Sequence, residues 1–294
     1  MRWSPTNEPG SWQAPLAENA PWTVLIGAAA NRLGSAQEAR WIGEQASGGD
    51  LSATPTKVAR AHFEAMVGRR ATGEPLQYVL GSWGFRRLDL WVDARALIPR
   101  PETEQVVESA LGLARDMLDE KESLLAADLG TGSGAIALSL AYELPLGRVD
   151  VWATDASEDA LDVARANLAG IGRAGARVTM RQGSWFVALP DDSRGMFDLI
   201  VSNPPYISAG AALPPEVADW EPVAALISGA SGLEAIEHLV AHAPSWLAPG
   251  GALVLEIGDT QGPAAVALAR AAGFNDVEVR PDLAGRDRIL IARP

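Results

Sequence analysis

In the first third of the chain, apolar residues recur at helical spacing: Val24, Ala28, Leu33, Trp41, Ile42, Val58, Phe63, Met66 and Val67, in a stretch rich in Ala, Arg and Glu. That spacing predicts short amphipathic helices, with breaks at Gly48-Gly49 and at Pro55. From 74 to 101 the pattern changes. Gln77-Tyr78-Val79-Leu80 and the run from Phe85 to Val92 read as a β-hairpin around Ser82-Trp83-Gly84. A helical stretch at 102–119 follows, and then short apolar runs alternate with helix-length segments. Strands are expected at 124–129, 149–154, 178–182, 197–202, 252–257, 277–280 and 288–292, with helices at 135–144, 157–169, 232–247 and 263–272. Such alternation predicts an α/β fold, a parallel sheet with helices on both faces. The expected organisation is a disordered leader at 1–20, a helical domain at 21–73, a hairpin connector at 74–101 and an α/β domain at 102–294. No internal repeat or low-complexity tract interrupts it.

Composition narrows the class. At 294 residues the chain is long enough for two moderate domains with real cores. Hydrophobic residues make up 48%, charged residues 21%, and mean hydropathy is +0.04. No apolar stretch reaches the roughly 18 residues of a membrane span, so a soluble protein with no membrane partner is expected. The N-terminus lacks the basic region and apolar core of a signal peptide. With no cysteine there is no disulfide framework and no thiolate metal site, which fits a reducing cytoplasm. A net charge of −13 would repel a phosphate backbone unless a basic patch were concentrated locally. Arg69-Arg70 and Arg86-Arg87 are too short for that, so a nucleic-acid partner is not expected and a protein or small-molecule substrate is favoured.

Asn203-Pro204-Pro205-Tyr206 stands directly after the apolar run 197–202, at a strand end. Asn offers a carbonyl acceptor, the prolines stiffen the loop and withhold N–H groups, and Tyr206 offers a flat face. A loop of this kind grips a planar NH2 group, whose lone pair is delocalised and must be aligned with an electrophile. Taken alone, the string also reads as a Pro-rich turn closing a buried strand.

A second constellation accompanies it. The strand at 124–129 runs into Asp128-Leu129-Gly130-Thr131-Gly132-Ser133-Gly134-Ala135, so the glycines occupy a strand-to-helix turn that permits close ligand approach. The stretch also satisfies the dinucleotide pattern G-x-G-x-x-[G/A], a weak signal by itself. The next strand ends at Asp155, about 20 residues on, where a carboxylate can hold the ribose hydroxyls of an adenosine ligand. Helix capping before Ser157 is the plainer reading of Asp155. Trp185, after the third strand, is the candidate to flank an adenine, although with 10 Trp in the chain many must simply fill core. The glycine turn and the Asn203 loop both fall at the carboxyl edge of the predicted sheet. Together they favour S-adenosylmethionine: a methyl donor facing an amino-group clamp. His238 and His242 stand one helical turn apart but lack a third ligand, and His62 reads as an ordinary helix residue, so no metal is expected.

These residues resemble the HemK/PrmC family of release-factor glutamine N5-methyltransferases, from about Pro21 to the C-terminus. The resemblance rests on Glu74-Pro75-Leu76-Gln77-Tyr78-Val79-Leu80-Gly81, Phe85, Leu97-Ile98-Pro99-Arg100-Pro101-Glu102-Thr103-Glu104, the Asp128-to-Gly134 turn, Asn203-Pro204-Pro205-Tyr206-Ile207, and Glu221-Pro222. It implies a seven-stranded Rossmann-like class I S-adenosylmethionine-dependent methyltransferase domain whose last strand pair is antiparallel. Before that domain it implies a small α-helical domain that docks the substrate, and a connecting β-hairpin. The implied substrate is the side-chain amide of the glutamine in the GGQ loop of class-I peptide chain release factors, with S-adenosyl-L-homocysteine as product. Carried over residue by residue, Gly130, Thr131, Gly132, Ser133 and Gly134 would shape the donor pocket, Asp155 would hold the ribose and Trp185 would border adenine. Phe85, Arg100, Glu102 and Thr103 would close over the donor, although the segment from Arg100 also serves to cap the helix that begins near Pro101. Asn203 would touch both donor and substrate, and with Pro204, Pro205 and Tyr206 it would form the catalytic clamp, the Asn203 side-chain carbonyl and the Pro204 backbone carbonyl each accepting one N–H. Ser184 departs from the family, whose members often place an acidic residue there, and the N-terminal helices match the usual pattern poorly.

Two rival readings stand beside it. The same loop type suits the exocyclic amine of adenine (N6) or guanine (N2), which would require a basic channel and base flipping. A non-catalytic scaffold would not need the whole clamp. A monomer is the default expectation.

Overall fold

Ser35 and Thr56 start two of the N-terminal helices, their hydroxyls accepting backbone N–H groups from Glu38 at 3.2 Å and Ala59 at 3.1 Å. They separate α1 (Trp22–Leu33), α2 (Ala36–Ser47) and α3 (Lys57–Ala71). The computed structural model describes residues 17–294 and divides into two units, the first ending at Leu80 and the second being Gly81–Pro294. In the first unit Leu25, Ile42, Phe63, Met66 and Val67 are buried with Trp22, whose ring meets Phe63 edge-on with centroids 5.6 Å apart. Val24, Trp41 and Val58, expected on the same faces, are exposed. In α1 the buried stripe is Trp22, Leu25 and Ala29, at spacings of three and four. Residues 1–16 of the expected leader lie outside the described part. Residues 17–20 make a turn, the Ala17 carbonyl accepting from Ala20 N–H at 3.0 Å and from the Arg60 guanidinium at 2.6 Å.

The expected hairpin is displaced along the chain. Gln77 to Leu80 belong to a short helix, α4 (Leu76–Leu80), not a strand, with the Pro75 carbonyl accepting from Val79 N–H at 3.1 Å. Leu76 and Val79 of α4 complete the core of the first unit. The hairpin pairs β1 (Ser82–Phe85) with β2 (Leu88–Trp91) and turns at Arg86-Arg87, not at Ser82-Trp83-Gly84. Arg86 takes a φ of 53°, a region disfavoured for a side-chain-bearing residue. Its backbone N–H donates to Glu104 at 3.1 Å, and its guanidinium donates to the Glu104 carbonyl, to Glu108 and to Glu143. Long-range ion pairs fix this turn, which is why local turn propensity misplaced it.

The remainder of the second unit is α5 (Pro101–Glu120), β3 (Leu124–Leu129), α6 (Ala135–Glu143), β4 (Val149–Asp155), α7 (Glu158–Gly170), β5 (Val178–Gln182), β6 (Phe197–Ser202), α8 (Pro215–Ala218), α9 (Glu234–His242), β7 (Leu247–Glu256), α10 (Gly262–Ala271), β8 (Asp276–Pro281) and β9 (Asp287–Arg293). Seven strands form one sheet in the order β5-β4-β3-β6-β7-β9-β8. The strands from β3 to β7 are parallel, whereas β9 runs antiparallel to both β7 and β8. The wholly parallel sheet expected from alternation therefore fails at its last two strands, as the family resemblance implied. The turn between β8 and β9 is too short for a parallel crossover.

Every residue of β6 is buried, as a strand covered on both faces requires. Leu199 and Val201 enter the core shared with α5 and α6, while Ile200 enters the opposite core with Ile236, Trp246 and Ala265 of the α9 and α10 side. Chain order reverses at β3, whose neighbours are β4 and β6, so the loops leaving these three strands converge at one carboxyl edge.

Candidate active site

The loop after β3 is tied down from below. Thr131 Oγ1 donates to Asp128 Oδ2 at 2.6 Å, Ala137 N–H donates to the same oxygen at 3.0 Å, and Gly130 and Thr131 N–H both donate to the Thr154 carbonyl at 2.8 Å. Burial pushes the Asp128 carboxyl up to about 7. From the end of β4, Asp155 Oδ2 accepts from Gly132 N–H and Oδ1 from Ser157 N–H, both at 2.9 Å. Burial raises its pKa, and the backbone donors oppose the rise. Gly130 has a φ of 77°, and a Cβ there would lie 3.4 Å from the Trp185 ring. A cavity of about 420 Å³ opens between these groups, lined among others by Gly130, Gly132, Asp155, Trp185, Asn203 and Pro205.

Asn203 sits where that cavity adjoins a second one of about 170 Å³, which is also lined by Arg100, Tyr206 and the apolar side chains of Leu97, Ile207, Leu213 and Val217. Asn203 Nδ2 donates to Thr103 Oγ1 at 3.0 Å, and Thr103 Oγ1 donates to Glu256 Oε2 at 2.6 Å. Tyr206 hydroxyl donates to the other Glu256 oxygen at 3.2 Å. Gln261 Nε2 donates to the Tyr206 and Gly232 carbonyls, each at 3.0 Å, fixing the far end of the loop. Arg100 pairs with the buried Glu221, which also accepts from Ile98 N–H at 3.2 Å.

Residues 107–219 match the family model of the methyltransferase small domain, and residues 30–81 match the PrmC N-terminal domain. A release factor glutamine methyltransferase of Moorella thermoacetica is 49% identical over 80% of this chain and 80% of its own length. Those of Xylella fastidiosa and Streptomyces coelicolor are 46% and 42% identical, over 80% and 83% of this chain and 82% and 85% of their own. The chain belongs to the release factor glutamine methyltransferase family. The methyl donor expected from the sequence is S-adenosylmethionine. The residues present fit that donor: side-chain-free backbone at Gly130 and Gly132, a carboxylate at Asp155, a flat ring at Trp185, and a volume within the roughly 300–1,000 Å³ of small-molecule sites.

Not every residue expected at a release factor methyltransferase site reaches the cavities. Thr131, Ser133 and Gly134 shape the loop from behind: Ser133 is buried with its carbonyl accepting from Asn167 at 2.8 Å, and Gly134 caps α6. Thr103 lies behind Asn203, and Pro204 is buried. Phe85 is 1% exposed in the core it shares with α5, and Glu102 faces Arg286 at 3.5 Å, so neither lines the larger cavity. Ser184 does line it, at the position where the family often carries an acid. His238 and His242 stack 4.2 Å apart, and both rings lie against Phe186.

Sequence reading missed Leu97 and the wall at residues 222–225, although both lie in or beside motifs that carry the family resemblance. It also missed Glu256. The available signal was a carboxylate inside an apolar strand, a position where burial demands a reason.

Proposed function

We propose that this protein transfers a methyl group from S-adenosylmethionine to the side-chain amide nitrogen, N5, of the glutamine in the GGQ motif of class-I peptide chain release factors. The observation that carries the reading is the place of Asn203, shared by a cavity suited to the donor and a smaller cavity beside Tyr206. When bound, the donor supplies an electrophilic methyl group on a sulfonium. On this reading Gly130 and Gly132 admit it by their bare backbone, Asp155 accepts from its ribose hydroxyls and Trp185 borders its adenine.

The Asn203 side-chain carbonyl and the Pro204 backbone carbonyl each accept one N–H of the substrate amide, while Tyr206 packs on the amide plane. The nitrogen lone pair is thereby aimed at the methyl group, and positioning with electrostatics supplies most of the rate. No strong base is required beforehand, because the nitrogen acidifies once methylated and then releases its proton. We assign docking of the release factor to the N-terminal helices, and place the protein in the cytoplasm as a monomer. A net charge of −13 disfavours nucleic acid as the substrate.

The test is to incubate the protein and donor with a release factor and map the methyl group by peptide mass spectrometry. Methyl on the GGQ glutamine is expected; an unmodified factor with methyl on DNA or RNA would overturn the reading in favour of a nucleobase amine.

A further inference from the structure

Glu256 is fully buried at the end of β7, and among the described residues it forms no ion pair. Its hydrogen-bond partners are two hydroxyls, those of Thr103 and Tyr206. Arg288, the neighbouring cation on β9, donates instead to the Ile257 carbonyl at 3.0 Å. A buried carboxylate without a cation is costly, and an apolar side chain would serve β7 better if only packing were needed.

Its contacts have a direction. An ionised carboxylate can only accept, so the Thr103 hydroxyl must spend its proton on Glu256. Thr103 Oγ1 is then left as an acceptor, and Asn203 can meet it only through Nδ2. The amide is thus held with nitrogen toward Thr103 and with Oδ1, which has no partner among the described residues, turned away from that contact. Were Thr103 to donate toward Asn203, the amide would flip and present two donors to an incoming NH2 group. The second Glu256 oxygen anchors Tyr206 in the same loop.

We infer that Glu256, acting through Thr103, is a positioning residue that sets the orientation of the Asn203 amide and so makes its carbonyl available to the substrate nitrogen. The inference rests on the proposed amide clamp. Neither residue needs to touch the reacting atoms.

The test compares Thr103→Val, Thr103→Ser and Glu256→Gln with the wild type in full-length protein. Two readouts are used: steady-state methylation of a release factor, and the NMR signals of the Asn203 side-chain NH2, assigned by their loss in Asn203→Ala. Thr103→Val keeps the shape but removes the acceptor. It should lower kcat by about 10²-fold, leave the Kd for S-adenosyl-L-homocysteine within about threefold, and shift the Asn203 NH2 signals. Thr103→Ser should restore both readouts, and Glu256→Gln should shift the same NH2 signals although it is remote from the cavity. Unchanged NH2 signals in both Thr103→Val and Glu256→Gln would overturn the inference, as would an unchanged kcat in Thr103→Val. The NMR readout needs no substrate, so it decides the inference even if the wild type leaves the GGQ glutamine unmodified, the result that would defeat the functional reading instead.

Discussion

Gly132 N–H donates to Asp155 Oδ2 at 2.9 Å, joining the loop after β3 to the end of β4 across 23 residues of sequence. The same carboxylate is thus both a brace for the glycine loop and an acceptor placed on the cavity wall. Replacing Asp155 by Ala removes both roles. The Kd for S-adenosyl-L-homocysteine, measured by calorimetry, should weaken by about 10- to 100-fold, the worth of one or two charge-assisted hydrogen bonds. An unaltered Kd would show that Asp155 only braces the backbone at Gly132 and Ser157 and does not hold the ligand.

Asn203→Ala should separate catalysis from donor binding. The proposed clamp would act on the substrate nitrogen as it is methylated, so kcat should fall by about 10² to 10³, the cost of losing one well-placed electrostatic contact. Donor affinity should change little. Turnover near the wild-type value would remove the clamp from the mechanism.

Gly232 supports the same loop from outside. Its φ is 82°, and a Cβ there would stand 2.7 Å from the Tyr206 carbonyl oxygen and 3.0 Å from the Ser208 nitrogen. Backbone atoms cannot swing aside as a flexible side chain can. Gly232→Ala should cost on the order of 2 kcal/mol or more in urea denaturation, from strain and displacement of the loop. A loss under about 0.5 kcal/mol would mean that this contact relaxes freely.

Burial holds Glu256 up at about 7, above its ordinary 4.5. Arg288 from β9 and the hydroxyls of Thr103 and Tyr206 pull it down, while Glu102 from α5 pushes it up. Between 4.5 and 7 the folded chain therefore binds more protons at this site than the unfolded chain, so its contribution to stability falls as pH rises through that window. Glu256→Gln removes the dependence. Relative to wild type, the variant should gain on the order of 3 kcal/mol in denaturation free energy between pH 5 and pH 8. Equal changes in the two proteins would mean that Glu256 does not titrate there. The ionised carboxylate obliges Thr103 to donate whereas the protonated acid allows either direction, so wild-type kcat should rise across the same interval.

Much of the α/β unit was legible because its central strands, covered on both faces, write themselves as apolar runs: β3 and β6 fall on the residues that the pattern predicts, and the half-exposed edge strand β5 falls where its alternating Val178 and Met180 place it. The glycine turn, Asp155 and Asn203 were legible for a related reason, since a strand that ends in a special loop announces the ligand-binding edge. Errors gathered where local pattern was ambiguous. Tyr78-Val79-Leu80 fits strand or helix equally, and Pro75 together with the first unit's core decided for helix. Phe85 sits in a family motif but is consumed by the core shared with α5.

By itself, the sequence determined the helices of α1 to α3, the alternation of strands and helices in the α/β unit, and that the glycine turn and the Asn203 loop follow strand ends, because these follow from short-range periodicity and residue type. Only the tertiary structure decided that β9 inserts between β7 and β8, that Arg86 rather than Gly84 turns the hairpin, and that Glu256 reaches Asn203 through Thr103. Thr103 and Glu256 are 153 positions apart, and the direction of a hydrogen bond between them is a property of two side chains brought together. No spacing along the chain encodes it.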